Sequence, residues 1–451
     1  MGQNMYDLVL TGRVVTPTSI IENGWIAISA GRIDAVGTGA LPQARETKRY
    51  GDALLLPGAV DGQTHAGSQI GFAGMTMTSH AAVIGGVTTI VDMPYDHPAP
   101  VTNGAVLAEK IAAINSLSVC DVALYGTVPT TPDLSHVQQL IDGGVCAFKI
   151  SSFEAHPDRF PRIGNAATLL LLETLEGTGL PLGLHNEDED LVASTTKRFI
   201  AEGRTTALDH SPSRPPVAEL TATVNFLELA ASTAAHAHIV HISIADGFDM
   251  VAAYRARGVH ATAEMCVHYL LFDANEDMPR LGGLLKVNPP IRAGEIDKLW
   301  EVLERGDASF ISSDHSAWPL ERKQTASIFD VAAGMPGLEA IVPAFFTAAV
   351  KRHGVEGAAR ITADYLSDKP ARFFGLSSKG RLEAGYDADI VVLAPEPMIY
   401  DAKLNPLGPG WSAYDGQSFS VTPIATFVRG QQAWDGVAVK TVSGRYVPRA
   451  A

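Results

Sequence analysis

Residues 143–149, Gly-Gly-Val-Cys-Ala-Phe-Lys, pass from a turn through four apolar residues into a lysine, Lys149. So short an apolar run suits a buried strand. Four other stretches share its shape: LLLPGAVDGQTH (54–65) ends in His65, GLPLGLH (179–185) in His185, AHIVH (237–241) in His241 and ASFISSD (308–314) in Asp314. A parallel (β/α) barrel collects its reacting groups from the C-terminal ends of several strands, so five such endings point to one shared mouth. The expected fold class is α/β, with a (β/α)8 TIM-like barrel.

Between residues 56 and 376 strand-like and helix-like segments alternate, the pattern of parallel βα units. The candidate strands are 53–60, 87–93, 121–127, 145–149, 181–185, 237–242, 259–264 and 309–313, with helical stretches such as 169–179, 221–233 and 247–258 between them. Residues 5–55 instead alternate short β-rich runs with turns, and the same texture returns in DADIVVLAP (387–395), TPIATFVRG (422–430) and VAVKTVSGRYV (437–447). We therefore expect residues 1–55 and 377–451 to join into one discontinuous β-domain flanking a barrel, 56–376.

A chain of 451 residues exceeds one ordinary domain, while a barrel alone uses about 250 residues. With 46% hydrophobic and 18% charged residues it is no disordered chain. Lys plus Arg number 34 against 49 Asp plus Glu, with no basic cluster, which argues against nucleic acid or an anionic membrane as partner. The three cysteines, Cys120, Cys146 and Cys266, form no CxxC pair and fit a reducing cytoplasm. No signal peptide or membrane span is apparent, so a soluble, cytoplasmic protein is expected.

Neutral imidazole and carboxylate are suitable ligands for Zn2+ and similar ions. Any one of His65, His185, His241 and Asp314 could instead be a hydrogen-bonded interior polar group; their recurrence at matching strand ends favours a metal site. Lys149 cannot ligate a cation while protonated. It either snorkels, pairs with Asp314, or is carboxylated and so becomes an anionic oxygen donor. His97, His136, His156, His210 and His353 read as solvated, His236 and His238 as structural, and the run Glu187-Asp188-Glu189-Asp190 as a solvated helix start.

The ordered set DGQTH (61–65), GGVTTIVDMP (85–94), CAFKIS (146–151), GLHNED (183–188), HIVHIS (238–243), AEMCVHYL (263–270), KVNPPIR (286–292), SSDH (312–315), GMPGLE (334–339) and KPARFFGL followed by KGRLEAGYDADIVVL (369–376, 379–393) resembles the cyclic amidohydrolases. These are the hydantoinases, dihydropyrimidinases, allantoinases and dihydroorotases. The resemblance runs over nearly the whole chain. It implies a distorted barrel with a composite β-sandwich and one or two Zn2+ ions per subunit, with Mn2+ or Co2+ as substitutes. By the same resemblance a carboxylated Lys149 bridges the metals, His185 and His241 hold one, His65 and Asp314 hold the other, and Asp314 is also the general acid/base. The partner it implies is a small cyclic amide, and the assembly a homo-oligomer, tetramer or dimer.

Several positions depart from the family pattern. The first strand of the family ends in His-x-His, whereas this chain has Gln63-Thr64-His65, and a Gln oxygen is a weaker zinc ligand than imidazole. Gln63 either still faces the site or its metal is lost. Gly67 stands where dihydroorotases carry a carboxylate-binding Arg, and Ser152 and Phe153 stand where hydantoinases tend to have an oxyanion-donating Tyr. Asn288 matches a substrate-binding loop or else caps a Pro-stiffened turn, and His268 is expected just behind the metal ligands or else in a purely packing role. The expectation is a hydantoinase- or dihydropyrimidinase-like hydrolase. An allantoinase is the alternative, and a silent barrel scaffold, suggested by Gln63, the alternative of another class.

Overall fold

The computed structural model describes residues 5–450. Eight parallel strands form its centre: β1 Ala59–Thr64, β2 Val87–Asp92, β3 Asp121–Gly126, β4 Ala147–Ser151, β5 Pro181–His185, β6 His236–Ile239, β7 Ala261–Ala263 and β8 Ile311–Ser312. Strands β1 to β7 pair in chain order. Beyond Glu264, β7 continues as Met265–Cys266, which pairs with β8, and a parallel bridge from Thr64 to His315 closes the ring. Every residue of β1 to β5 is buried, as strands covered on both faces require. The three helices read from the sequence are present as Asn165–Leu175, Pro216–Ala231 and Ala245–Ala256. Each starts before its apolar stretch, because its first turn is built of residues such as Asn165 or Pro216.

The first barrel strand differs from expectation. Residues 53–57 belong to a long strand of a second sheet, Ala44–Pro57, and the chain enters the barrel only after Gly58. The run Ala53-Leu54-Leu55-Leu56 is apolar on both faces for that reason. Ala53 and Leu55 face the interior of the outer β-layer, while Leu54 and Leu56 face the barrel's core. At the corner, a Cβ on Gly58 would lie 2.3 Å from Thr88, so only glycine permits this approach.

Both chain ends build that second sheet. Its order is Gln431–Trp434, Thr422–Val428, Ile390–Ala394, Ala44–Pro57, Tyr6–Val15, Ile20–Ser29, Arg32–Thr38. The junction is the antiparallel pairing of Ile390–Leu393 with Pro57–Leu54. The molecule is thus an α/β barrel with a β-sandwich made from both termini.

At the N-terminal ends of the barrel strands the motif KGRLEAGYDADIVVL finds its physical use. Lys379 is 3% exposed, and its Nζ lies 2.5 Å from Asp121, 3.0 Å from Asp387 and 2.7 Å from Asp389. Arg429 also pairs with Asp121. This network ties the start of β3 to the outer sheet. Its three carboxylates are close enough to share a cation, and Lys379 is the cation they share. Removing one partner of a buried ion network leaves uncompensated charge. Lys379→Met is therefore expected to lower unfolding stability by about 3–5 kcal/mol in urea titrations.

Candidate metal centre and active site

The C-terminal strand ends open into one cavity of about 490 Å³, lined by His65, Lys149, His185, His241 and Asp314 together with Phe153 and Asn288. Nδ1 of His185 and Nε2 of His241 face each other at 3.0 Å. Across the mouth, Nε2 of His65 is 3.4 Å from Asp314 Oδ1, and the side chain of Gln63, 1% exposed, donates to the same oxygen at 3.0 Å. The side chain of Lys149, also 1% exposed, has no hydrogen-bond or ion-pair partner among the described residues.

Buried carboxylates hold the strand ends in place. Glu264 accepts from the His241 backbone N–H at 2.7 Å and from Ser312 Oγ at 2.6 Å, which fixes the exits of β6 and β8. Asp61 accepts from Ser313 N and Oγ, both at 2.7 Å, and so locks β1 to β8. Asp92, paired with the buried Lys110 at 2.6 Å, accepts from Ala66 N and holds the turn after His65. His241 and Asp314 themselves sit at φ of 40° and 49°, conformations that non-glycine residues adopt at a cost and that cluster at working sites.

The electrostatics suit a divalent cation. Burial pushes the Lys149 ammonium down to about 8 against the pull of Asp314 and Glu264. Burial likewise lowers His185 and takes His241 well below the ordinary imidazole range, so both rings are neutral donors at pH 7. Burial alone would raise the Asp314 carboxyl, but its bond to His65 and the charges of His65 and Lys149 hold it below its usual range. His241 Nδ1 and Gln63 Oε1 are buried without partners. Neutral imidazoles, a carboxylate, an amide oxygen and an amine depressed toward its neutral form are a donor set that a zinc-like ion fits.

The other expected residues take varied places. Asn288 faces the cavity with Oδ1 unpartnered, and Phe153 forms its wall. Ser152 turns away, donating to the carbonyls of His185 and Glu187 at 2.8 and 2.9 Å, and so braces the loop after β5. Gly67 is packed where a Cβ would lie 2.0 Å from Asp96 Oδ1, which leaves no room for the side chain of an Arg. His268 is fully buried against Tyr269, with neither ring nitrogen partnered.

Two readings of charged or polar residues are corrected. Glu187 is completely buried, between His185 Nε2 at 2.9 Å and the guanidinium of Arg214, while Asp188 caps the helix Glu189–Ala201 as a helix start should. His210 is buried and its Nε2 meets the Val287 carbonyl at 2.8 Å. The sequence also concealed the far wall of the cavity, built by Tyr95 stacked on Phe160 at 3.8 Å and by residues 331–334. Buried Lys286 and Lys323 knit that last segment in place by donating to its backbone carbonyls. Only the Pro- and Gly-rich texture of these loops hinted at them.

Comparison with known proteins agrees with this geometry. Residues 54–433 match the Amidohydrolase family. The chain is 33% identical over 452 residues to the allantoinase of Rubrobacter xylanophilus, covering 98% of this chain and 97% of that protein. It is 32% identical to the allantoinase of Streptomyces avermitilis, covering 98% and 99%. Among solved structures, the L-hydantoinase (dihydropyrimidinase) of Arthrobacter aurescens superposes with a TM-score of 0.92 at 26% identity, covering 99% of this chain and all of that one. The chain belongs to the amidohydrolase family.

Proposed function

We propose that this protein is a metal-dependent hydrolase that opens a cyclic ureide ring, with allantoin as the first substrate to test. The observation that carries this reading is the convergence of Lys149, His185, His241, His65 and Asp314 on one cavity. Allantoinases at 32–33% identity put allantoin ahead of the hydantoins expected first from the sequence. The hydantoinase reading stays second, supported by the superposition with the A. aurescens enzyme.

In this reading His185, His241 and a carboxylated Lys149 hold one ion, and His65 and Asp314 hold a second where it is present. A divalent ion bound there polarises a carbonyl and lowers the pKa of water to about 7. Asp314 accepts the proton of the attacking water and returns it to the ring nitrogen as the C–N bond breaks, sparing that nitrogen from leaving as an amide anion. The apolar wall of Phe153 and Phe160 excludes bulk water, and the unpartnered Asn288 oxygen is placed to accept from a ring N–H.

A silent scaffold has no physical reason to keep buried, unpartnered polar atoms around one cavity. The three cysteines are free and buried, which suits the cytoplasm, and no helix among the described residues is long and apolar enough to cross a membrane. The proposed assembly is a homo-oligomer.

A ring-opening assay over allantoin, hydantoins, dihydrouracil and cyclic imides, with zinc, manganese or cobalt, tests the reading. Allantoin turnover that disappears together with bound metal in Lys149→Ala is the expected result; no turnover of any ring by metal-loaded protein contradicts it. Gln63 allows a further prediction. Its amide donates to Asp314 and supplies no imidazole, so wild-type protein purified without chelator should hold about one tightly bound equivalent. Gln63→His should bring elemental analysis toward about two.

A further inference from the structure

His185 has two ring nitrogens with different tasks. Nδ1 looks into the cavity toward His241, while Nε2 points back into the protein and meets Glu187 Oε2 at 2.9 Å. Glu187 is gripped from behind by Arg214, whose Nε lies 2.7 Å from Oε1 and whose Nη2 lies 2.6 Å from Oε2. Arg214 is itself held: its guanidinium lies 4.6 Å over the Phe153 ring, and its backbone carbonyl accepts from Arg292. Arg292 in turn pairs with Glu219 at 2.7 Å, and Glu219 binds Ser243, two residues beyond His241. Two buried Arg–Glu pairs thus stand side by side behind the exits of β5 and β6.

A buried ion pair is a poor device for stability alone, because desolvation offsets much of its attraction. A guanidinium only donates, and a carboxylate paired with it only accepts. Glu187 must therefore receive its third bond from hydrogen on His185 Nε2. That leaves the Nδ1 lone pair free on the cavity side.

We propose that Glu187, oriented by Arg214, is a positioning residue that locks His185 into the Nε2–H tautomer and makes Nδ1 its donor atom. The inference rests on the reading that His185 helps to hold the metal. Arg214 adds a second function. By drawing on both carboxylate oxygens it keeps Glu187 from swinging into the cavity and competing as a ligand.

The test uses the whole protein. Zn2+ affinity is measured by competition with a chromophoric chelator for wild type and for Glu187→Gln, alongside the cobalt absorption spectrum of each and the far-ultraviolet circular dichroism of each apo-protein. The expected result is an affinity loss of about 10–100-fold and an altered cobalt spectrum with unchanged apo-protein dichroism. Equal affinity and identical spectra overturn the proposal. Absence of tight binding in wild type would overturn the underlying metal reading instead. Neutron diffraction from wild-type crystals decides the matter should the variant misfold: a deuteron on His185 Nε2 supports the proposal, and one on Nδ1 overturns it.

Discussion

A lysine sealed at the base of a cavity, with no counter-ion in contact, is the constraint around which the rest of this molecule is arranged. Lys149 is 1% exposed, and burial brings its ammonium down to about 8. Left as an ammonium it is a standing cost. In the proposed function, conversion to a carbamate oxygen donor with a cation to neutralise it would turn that cost into a binding site, and the neighbouring imidazoles are held neutral and aimed at the same region.

The two ends of the barrel divide the work. At the N-terminal end, Lys379 satisfies three buried aspartates, and the ring of strands is fastened to a sheet woven from both chain termini. At the C-terminal end buried carboxylates also abound, but there they grip the backbone and leave side-chain donors unpartnered. Satisfied charge fastens one end, and at the other the unpartnered ring nitrogen of His241 and amide oxygen of Asn288 gather at the cavity. The positive φ values of His241 and Asp314 fit the same division, since strain is tolerated where a side chain must be aimed.

Much of this was legible in the sequence because a barrel strand is local: a few apolar residues, then the side chain that reaches the mouth. His65, Lys149, His185, His241 and Asp314 could all be found that way. What the sequence hid depends on long-range packing. Glu187 looked like one acid in a solvated run, and only the approach of Arg214, 27 residues onward, shows why it is buried. The first barrel strand was misplaced because Ala53–Leu56 is apolar on two faces for two different cores. The wall at residues 331–334 is held by lysine side chains donating to backbone carbonyls, and no periodicity announces such bonds.

The most direct test of the account is anomalous diffraction at the metal absorption edge from crystals of protein purified without chelator. The account predicts a peak within bonding distance of His185 Nδ1, His241 Nε2 and the end of Lys149, with extra density on that lysine. A peak among Asp121, Asp387 and Asp389 instead, or none at all beside a bare Lys149, would contradict it.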